Sequence, residues 1–233
     1  PGQGCLGLGP GRFLAVPAAV RQNPGMTSDR ARRELASGEL PAGQFARLLK
    51  AVVVPRPIAW VSTTSAEGVD NLAPHSFFTF ASEVPPVLQF TSIGHKDSLR
   101  NATGTGEFVI NLADLGNLDA VNASGTAYPP DEDEFAALGI EREPSVAVRP
   151  PRVAGSPVAI ECRTEGTVEF DESVVVFGRV VHLAISEAVL DGDHPDIGKL
   201  APMARLGRNE WSEIGKVHRI DRIPLDRARR NGS

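Results

Sequence analysis

Apolar and polar positions alternate in short runs along most of this chain, and Gly or Pro punctuates the runs. The one helical spacing near the start comprises Ala31, Leu35, Phe45, Leu48 and Leu49. It is interrupted at Gly38 and Pro41, and predicts one or two short helices over 28–50, with Ser28 or Asp29 as cap. Residues 51–63, AVVVPRPIAWVST, are β-rich, but prolines 55 and 57 cannot donate to a ladder, so a first strand is expected from about Ile58. SAEGVDN (65–71) reads as a hairpin connection. LAPHSFFTFAS (72–82), irregular at Pro74, is the next expected strand, and PVLQFTS (86–92) the third. A helix is expected from Ser98 to about Gly104, then a fourth strand over 107–113, EFVINLA.

Residues 114–145 read as loop and helix, with the acidic DEDEF as a solvated helix start. SPVAIECRTEGTVEF (156–170) and VVVFGRVVHLAIS (174–186) predict a long antiparallel pair, and KVHRIDR (216–222) a last short strand. Six or seven strands joined by Gly- and Pro-containing turns, with few long helices, predict a closed antiparallel barrel rather than βαβ units.

Composition sharpens the domain picture. At 233 residues and 41% apolar content the chain has material for one full-sized core. The first 25 residues, rich in Gly and Pro and without an acidic residue, are expected to be a vector-derived or upstream segment. Residues 26–225 then form a single domain, and the basic stretch 226–233 a disordered tail. The formal charge of −5 argues against a general nucleic-acid or anionic-membrane binder, and no apolar run is long enough to span a bilayer. Cys5 lies in the leading segment, so Cys162 is left without a disulfide partner. It reads as a small buried hydrophobe in a cytoplasmic protein.

Common site motifs are missing: no phosphate-loop lysine, no dinucleotide Gly fingerprint, no paired Cys or His for zinc, no Gly-x-Ser-x-Gly elbow. Small polar residues gather at strand ends instead: Ser62, Thr63 and Thr64; Asn71 and Ser76; Thr91 and Ser92. Lys96, Asp97 and Ser98 open the expected helix. A helix N-terminus with a lysine and hydroxyls is a small anion site. The plainer alternative is that Asp97 or Ser98 caps the helix while Lys96 faces water.

RPIAWVSTTSAEGVDNLAPHSFF (56–78) closely resembles the signature of the flavin reductase-like, FMN-binding split-barrel family, and the likeness continues through GHKDSLRNATGTGEFVINLA (94–113), YPPDEDEFAALGI (128–140), PPRVAGSPVAIECR (150–163) and MARLGRNEWSEIG (203–215). It implies a mainly β fold: a six-stranded Greek-key split barrel with a few peripheral helices, dimeric, with FMN at the dimer interface. It implies an NAD(P)H-dependent flavin reductase passing hydride from NADH or NADPH to FMN, with a monooxygenase as a partner for reduced flavin. Alternatives are a flavoredoxin-type carrier and a reductase of a small organic substrate. The resemblance places Ser62, Ser92, Lys96 and Ser98 near the FMN phosphate. It places Ser62–Thr64 and Asn71–Ser76 (including Ala73, Pro74 and His75) along the ring and ribityl chain. Arg56, Thr91, Asp97, Asn101, Arg205 and Trp211 complete the implied cofactor set. No catalytic residue stands out except His75, as a proton donor or a space-filler; no metal is implied. Trp211, Arg208 and His75 stand where the family more often has Tyr, Gly and Phe or Tyr.

Overall fold

A computed structural model describes residues 32–222. The chain divides into two units, Pro1–Leu40 and Pro41–Ser233. Of the first, residues 32–40 form an irregular segment in which the Glu39 carboxylate accepts the Ala36 N–H at 3.0 Å. The expected caps Ser28 and Asp29, the leading segment 1–25 and the tail 226–233 lie outside the described residues.

The second unit is built on a seven-stranded, wholly antiparallel sheet. Its strands are β1 (Ala59–Thr64), β2 (Asp70–His75), β3 (Phe78–Ser82), β4 (Val87–Ile93), β5 (Glu107–Leu112), β6 (Val158–Phe170) and β7 (Ser173–Ile185), in the order β2-β1-β5-β6-β7-β4-β3. The sheet has seven strands, within the six or seven expected, and the run 72–82 forms two of them. β2 pairs with β1 and β3 pairs with β4, at opposite edges of the sheet. The chain turns between them at Ser76–Phe77. There the seam is pinned where the Thr91 N–H donates to Phe77 O at 2.9 Å. The sheet thus closes on itself into a split barrel.

Side-chain parity builds the core. Ala59 and Val61 of β1, Leu88 and Phe90 of β4, Phe108 and Ile110 of β5, Cys162 of β6 and Val174 and Val176 of β7 fill the interior. Helix α1 (Ala42–Val52) precedes the sheet; α2 (Asp97–Thr105) plugs the barrel with Leu99 and Ala102. Gly178 is dictated by this packing: a Cβ there would lie 2.2 Å from Phe108 Cζ. The other face of β1 carries a second core, in which Trp60 and Ile58 meet Leu72, Val121, Phe135 and Val153 under α3 (Leu118–Ala123) and α4 (Glu134–Leu138). β1 is therefore buried on both faces.

The first strand starts at Ala59, beside the expected Ile58, and Ala51 and Val52 end α1. Two further expectations change. Residues 216–222 form no strand. The acidic run is only partly solvated: Glu134 is buried and accepts the Leu72 N–H of edge strand β2 at 2.9 Å, which satisfies a donor that has no neighbouring strand. Cys162 is buried as expected, and burial, with Glu161 beside it, pushes its thiol up to about 12, so it stays protonated.

Candidate functional site

A cleft of about 820 Å³ opens where β2, β4 and α2 converge, bounded also by α1, the 124–130 loop and the turn after Arg205. Eleven of the expected residues line it. Asn71, Ala73, Pro74, His75 and Ser76 come from β2 and its end, Thr91 from β4, Lys96, Asp97 and Ser98 from the start of α2, and Arg56 and Arg205 from a two-residue ladder.

At the start of α2 the plain cap does not form. Lys96 is the N-cap residue, and its side chain makes no capping bond. Asp97 pairs with Arg100. Ser98 is almost fully buried, and its Oγ accepts the Asn71 side-chain amide at 3.2 Å. One lone pair of Ser98 is thereby used, and its O–H remains a donor toward the cleft. Asn71 also donates to Thr63 Oγ1 at 3.3 Å, which takes a second bond from Asn101 Nδ2 at 3.2 Å. Thr63 and Asn101 thus sit behind the cleft and hold Asn71 and α2 in place.

Other expected residues are placed elsewhere. Ser62 lies on the Trp60 face of β1, and its hydroxyl donates to Pro151 O at 2.5 Å. Thr64 donates to Asp70 Oδ1 at 2.7 Å. Ser92 turns its hydroxyl onto Gly94 O at 2.8 Å and shapes the loop before α2. Trp211 packs under the Arg205 guanidinium, 4.7 Å from its ring centroid. None of these, nor Thr63 or Asn101, lines the cleft.

His75 occupies the seam between β2 and β4. Its Nδ1 lies 3.3 Å from Thr91 O; a carbonyl only accepts, so Nδ1 carries the hydrogen. The ring lies 4.8 Å from Phe90, and Nε2 is buried without a partner among the described residues. Burial lowers its pKa to about 4. The bond to Thr91 opposes that shift and Lys96 adds to it, so His75 is neutral near pH 7.

Sequence reading missed several lining residues. Glu134 brings a second carboxylate beside Asp97. Burial raises its pKa against the bond from Leu72, and Asp97 and Asp133 add to the rise. Gly125 passes the cleft floor, where a Cβ would lie 3.4 Å from Pro74 Cγ. Arg47, Lys50 and Arg208 add positive charge, and Arg208 holds φ 50, a left-handed conformation that suits glycine. The GRN turn at 207–209 was the sequence signal available for Arg208.

The model of the flavin reductase like domain matches residues 51–198, more than half of the chain. The chain belongs to this family. The matched stretch contains β2, β4 and α2, the elements that wall the cleft. A Halalkalibacterium halodurans protein is 34% identical over 195 residues, covering 78% of this chain and 93% of its own length. Nitrilotriacetate monooxygenase component B from Bacillus cereus superposes with a TM-score of 0.78 at 26% identity, covering 82% of this chain and 100% of that one. The 2-nitrobenzoate 2-nitroreductase of Pseudomonas fluorescens gives 0.77 at 28% identity, covering 83% and 97%. Membership makes this flavin reductase-like chain an oxidoreductase of flavin chemistry with a split-barrel fold. No helix among the described residues is long and apolar enough to cross a membrane.

Proposed function

We propose that the protein is an FMN-dependent NAD(P)H:flavin oxidoreductase that works as a homodimer. The observation that carries the reading is the start of α2. A nine-residue helix presents an uncapped N-terminus, a lysine at its N-cap and a hydroxyl with its donor unspent, all at one end of a cleft large enough for a flavin. That donor set fits the single phosphate of FMN. Asp97 does not spoil it, since its charge is matched by Arg100.

A bound flavin supplies a two-electron acceptor for a nicotinamide hydride and passes the electrons on. The chain's own part is binding and orientation. Lys96, Ser98 and the first N–H groups of α2 hold the phosphate. Asn71 fixes the Ser98 hydroxyl, with Thr63 behind it. Ala73 and Pro74 would edge the ring with small, apolar groups, and Gly125 packs closely against Pro74 beside them. His75 is neutral and spends its one N–H on Thr91, so it fills the seam and donates no proton. Orientation carries such a reaction without a nucleophile.

The dimer rests on α1. None of its 11 residues is buried, although Leu48, Leu49 and Val52 lie on it and Val53 follows. Such an amphipathic helix needs an apolar cover, and a second copy would also wall the cleft, which α1 borders. Light scattering at the monomer mass would remove this part.

Delivery of reduced flavin to a monooxygenase is supported by the likeness to a monooxygenase component B. Direct reduction of a small organic molecule is supported by the nitroreductase likeness. Stopped-flow mixing with NADH or NADPH tests the core of the proposal: the flavin absorbance bleaches rapidly. Bleaching only by a protein donor would make the chain a flavoredoxin-type carrier. Re-oxidation by 2-nitrobenzoate faster than by a monooxygenase-type acceptor would favour the organic reductase.

A further inference from the structure

The chain is acidic overall, yet seven cationic side chains line the cleft against two carboxylates. Lys96 and Arg100 belong to α2, and Arg100 is matched by Asp97. The remaining five come from other elements: Arg47 and Lys50 from α1, Arg56 and Arg205 from their two-residue ladder, and Arg208 from the turn that follows.

Arg56 and Arg205 are direct partners in that ladder, a placement in which like charges repel. Both donate to neutral acceptors, backbone carbonyls and, for Arg56 Nε, the Ser76 hydroxyl at 3.5 Å. Arg56 donates to Lys50 O, to Val53 O at 3.0 Å and to Leu206 O at 2.7 Å. Arg205 donates to Glu210 O at 3.3 Å and Arg208 O at 3.2 Å. Elsewhere Arg100, Arg142, Arg149, Arg152 and Arg179 each face a carboxylate. Among the described residues none of the five forms an ion pair. Of the two cleft carboxylates, Asp97 is taken by Arg100, and Glu134 accepts from Leu72. Arg208 keeps a charged side chain at a left-handed position where glycine would fit without strain. Carbonyl-bound guanidinium groups retain their full positive field, and a cleft focuses it.

We infer that Arg47, Lys50, Arg56, Arg205 and Arg208 form a second anion subsite, separate from the Lys96–Ser98 seat, which takes the phosphate or carboxylate group of the molecule that exchanges electrons with the flavin. The inference rests on the proposed function for the first anion, because FMN carries one phosphate and α2 already answers it. A pyridine dinucleotide brings a pyrophosphate; an aromatic acid brings a carboxylate. Both fit a cluster of guanidinium and ammonium groups.

Calorimetric titration of the flavin-saturated protein with inorganic pyrophosphate, and separately with benzoate, tests it. The variant is Lys50→Ala with Arg208→Gly: both positions are exposed, and glycine relaxes the φ at 208. Arg47→Glu is the second, independent variant. Saturable binding of at least one probe is expected, weakened tenfold or more in either variant, with FMN affinity within twofold of the parent. Tighter pyrophosphate identifies a nucleotide as the natural source; tighter benzoate identifies an aromatic acid. No binding of either probe overturns the inference, as does binding unchanged in both variants. Equal loss of FMN affinity also overturns it, because the cations would then serve the flavin phosphate. Failure of the proposed function reads differently: neither NADH nor NADPH bleaches the flavin, while the probe still binds and the variants still weaken it.

Discussion

The side-chain amide of Asn71 donates to Ser98 Oγ across 3.2 Å, joining the edge strand β2 to the first turn of α2. This bond orients the hydroxyl so that its hydrogen is left for a ligand. Lys96→Ala with Ser98→Ala is therefore expected to weaken FMN binding by tenfold or more. The basis is about 1.5–3 kcal/mol for each hydrogen bond to a charged group. Riboflavin, which lacks the phosphate, is expected to bind the variant and the parent alike. Fluorescence titration of both flavins checks this, and an equal loss for the two would remove the phosphate role.

His75 makes stability depend on pH in a defined window. Its folded pKa of about 4 lies below the ordinary value near 6.5, so between the two the unfolded chain binds more protons. The contribution is complete above about pH 6.5 and is lost on acidification toward pH 4, by about 3 kcal/mol at most. Urea unfolding midpoints between pH 7 and 4 are expected to fall more steeply for the parent than for His75→Phe. Parallel curves would show that His75 is not the titrating group.

Much of this arrangement was legible in the sequence, and the misses share a cause. The strands, α2 and the family signature follow from local pattern, because alternation and turn residues act within a few positions. Ser62 and Thr63 show the limit. They are adjacent on β1, so their side chains face opposite sides: Ser62 joins the Trp60 face and Thr63 the Val61 face. Parity alone argues against both touching one ligand. Whether Thr63 reaches the cleft or stands behind Asn71 depends on a helix 35 residues further on, and no local pattern encodes that. The split of 72–82 into β2 and β3 is likewise set by distant pairing with β1 and β4. Glu134 reads as solvent-facing in an acidic run, but the edge of β2 needs an acceptor and takes it.

Gly178→Ala tests the tightness of the barrel. Its Cβ would lie 2.2 Å from Phe108 Cζ and 2.9 Å from Cys162 Cβ, both fully buried. Overpacking of this kind costs about 1–3 kcal/mol. Chemical denaturation is expected to show that loss, and Phe108→Leu in the same chain is expected to restore part of it. A neutral Gly178→Ala would mean that the core yields there.

On the outer face of β6, Glu161 is fully buried and answered on all sides. The Val146 and Ala147 N–H groups donate at 3.0 and 2.6 Å, and Arg152 donates at 2.5 and 2.9 Å. Burial pulls its carboxyl upward, but the two backbone bonds and Arg152 outweigh it and hold the pKa below the ordinary value. Arg152→Met strands this charge and is expected to cost about 3–5 kcal/mol. Arg152→Met with Glu161→Leu is expected to lie closer to the parent. Equal losses in the single and double variants would deny the coupling.

The order β2-β1-β5-β6-β7-β4-β3 also bears on how the chain is made. Val176 of β7 lies opposite Phe90 of β4, and Cys162 of β6 opposite Phe108 of β5. Until the β6–β7 hairpin has left the ribosome, β4 and β5 each present an unpaired edge. The early strands cannot close into a barrel on their own. Contacts so distant along the chain make for slow folding, and open edges invite association between nascent chains. The last hairpin thus acts as the keystone of biogenesis, and truncations that remove it are expected to aggregate instead of leaving a smaller folded domain.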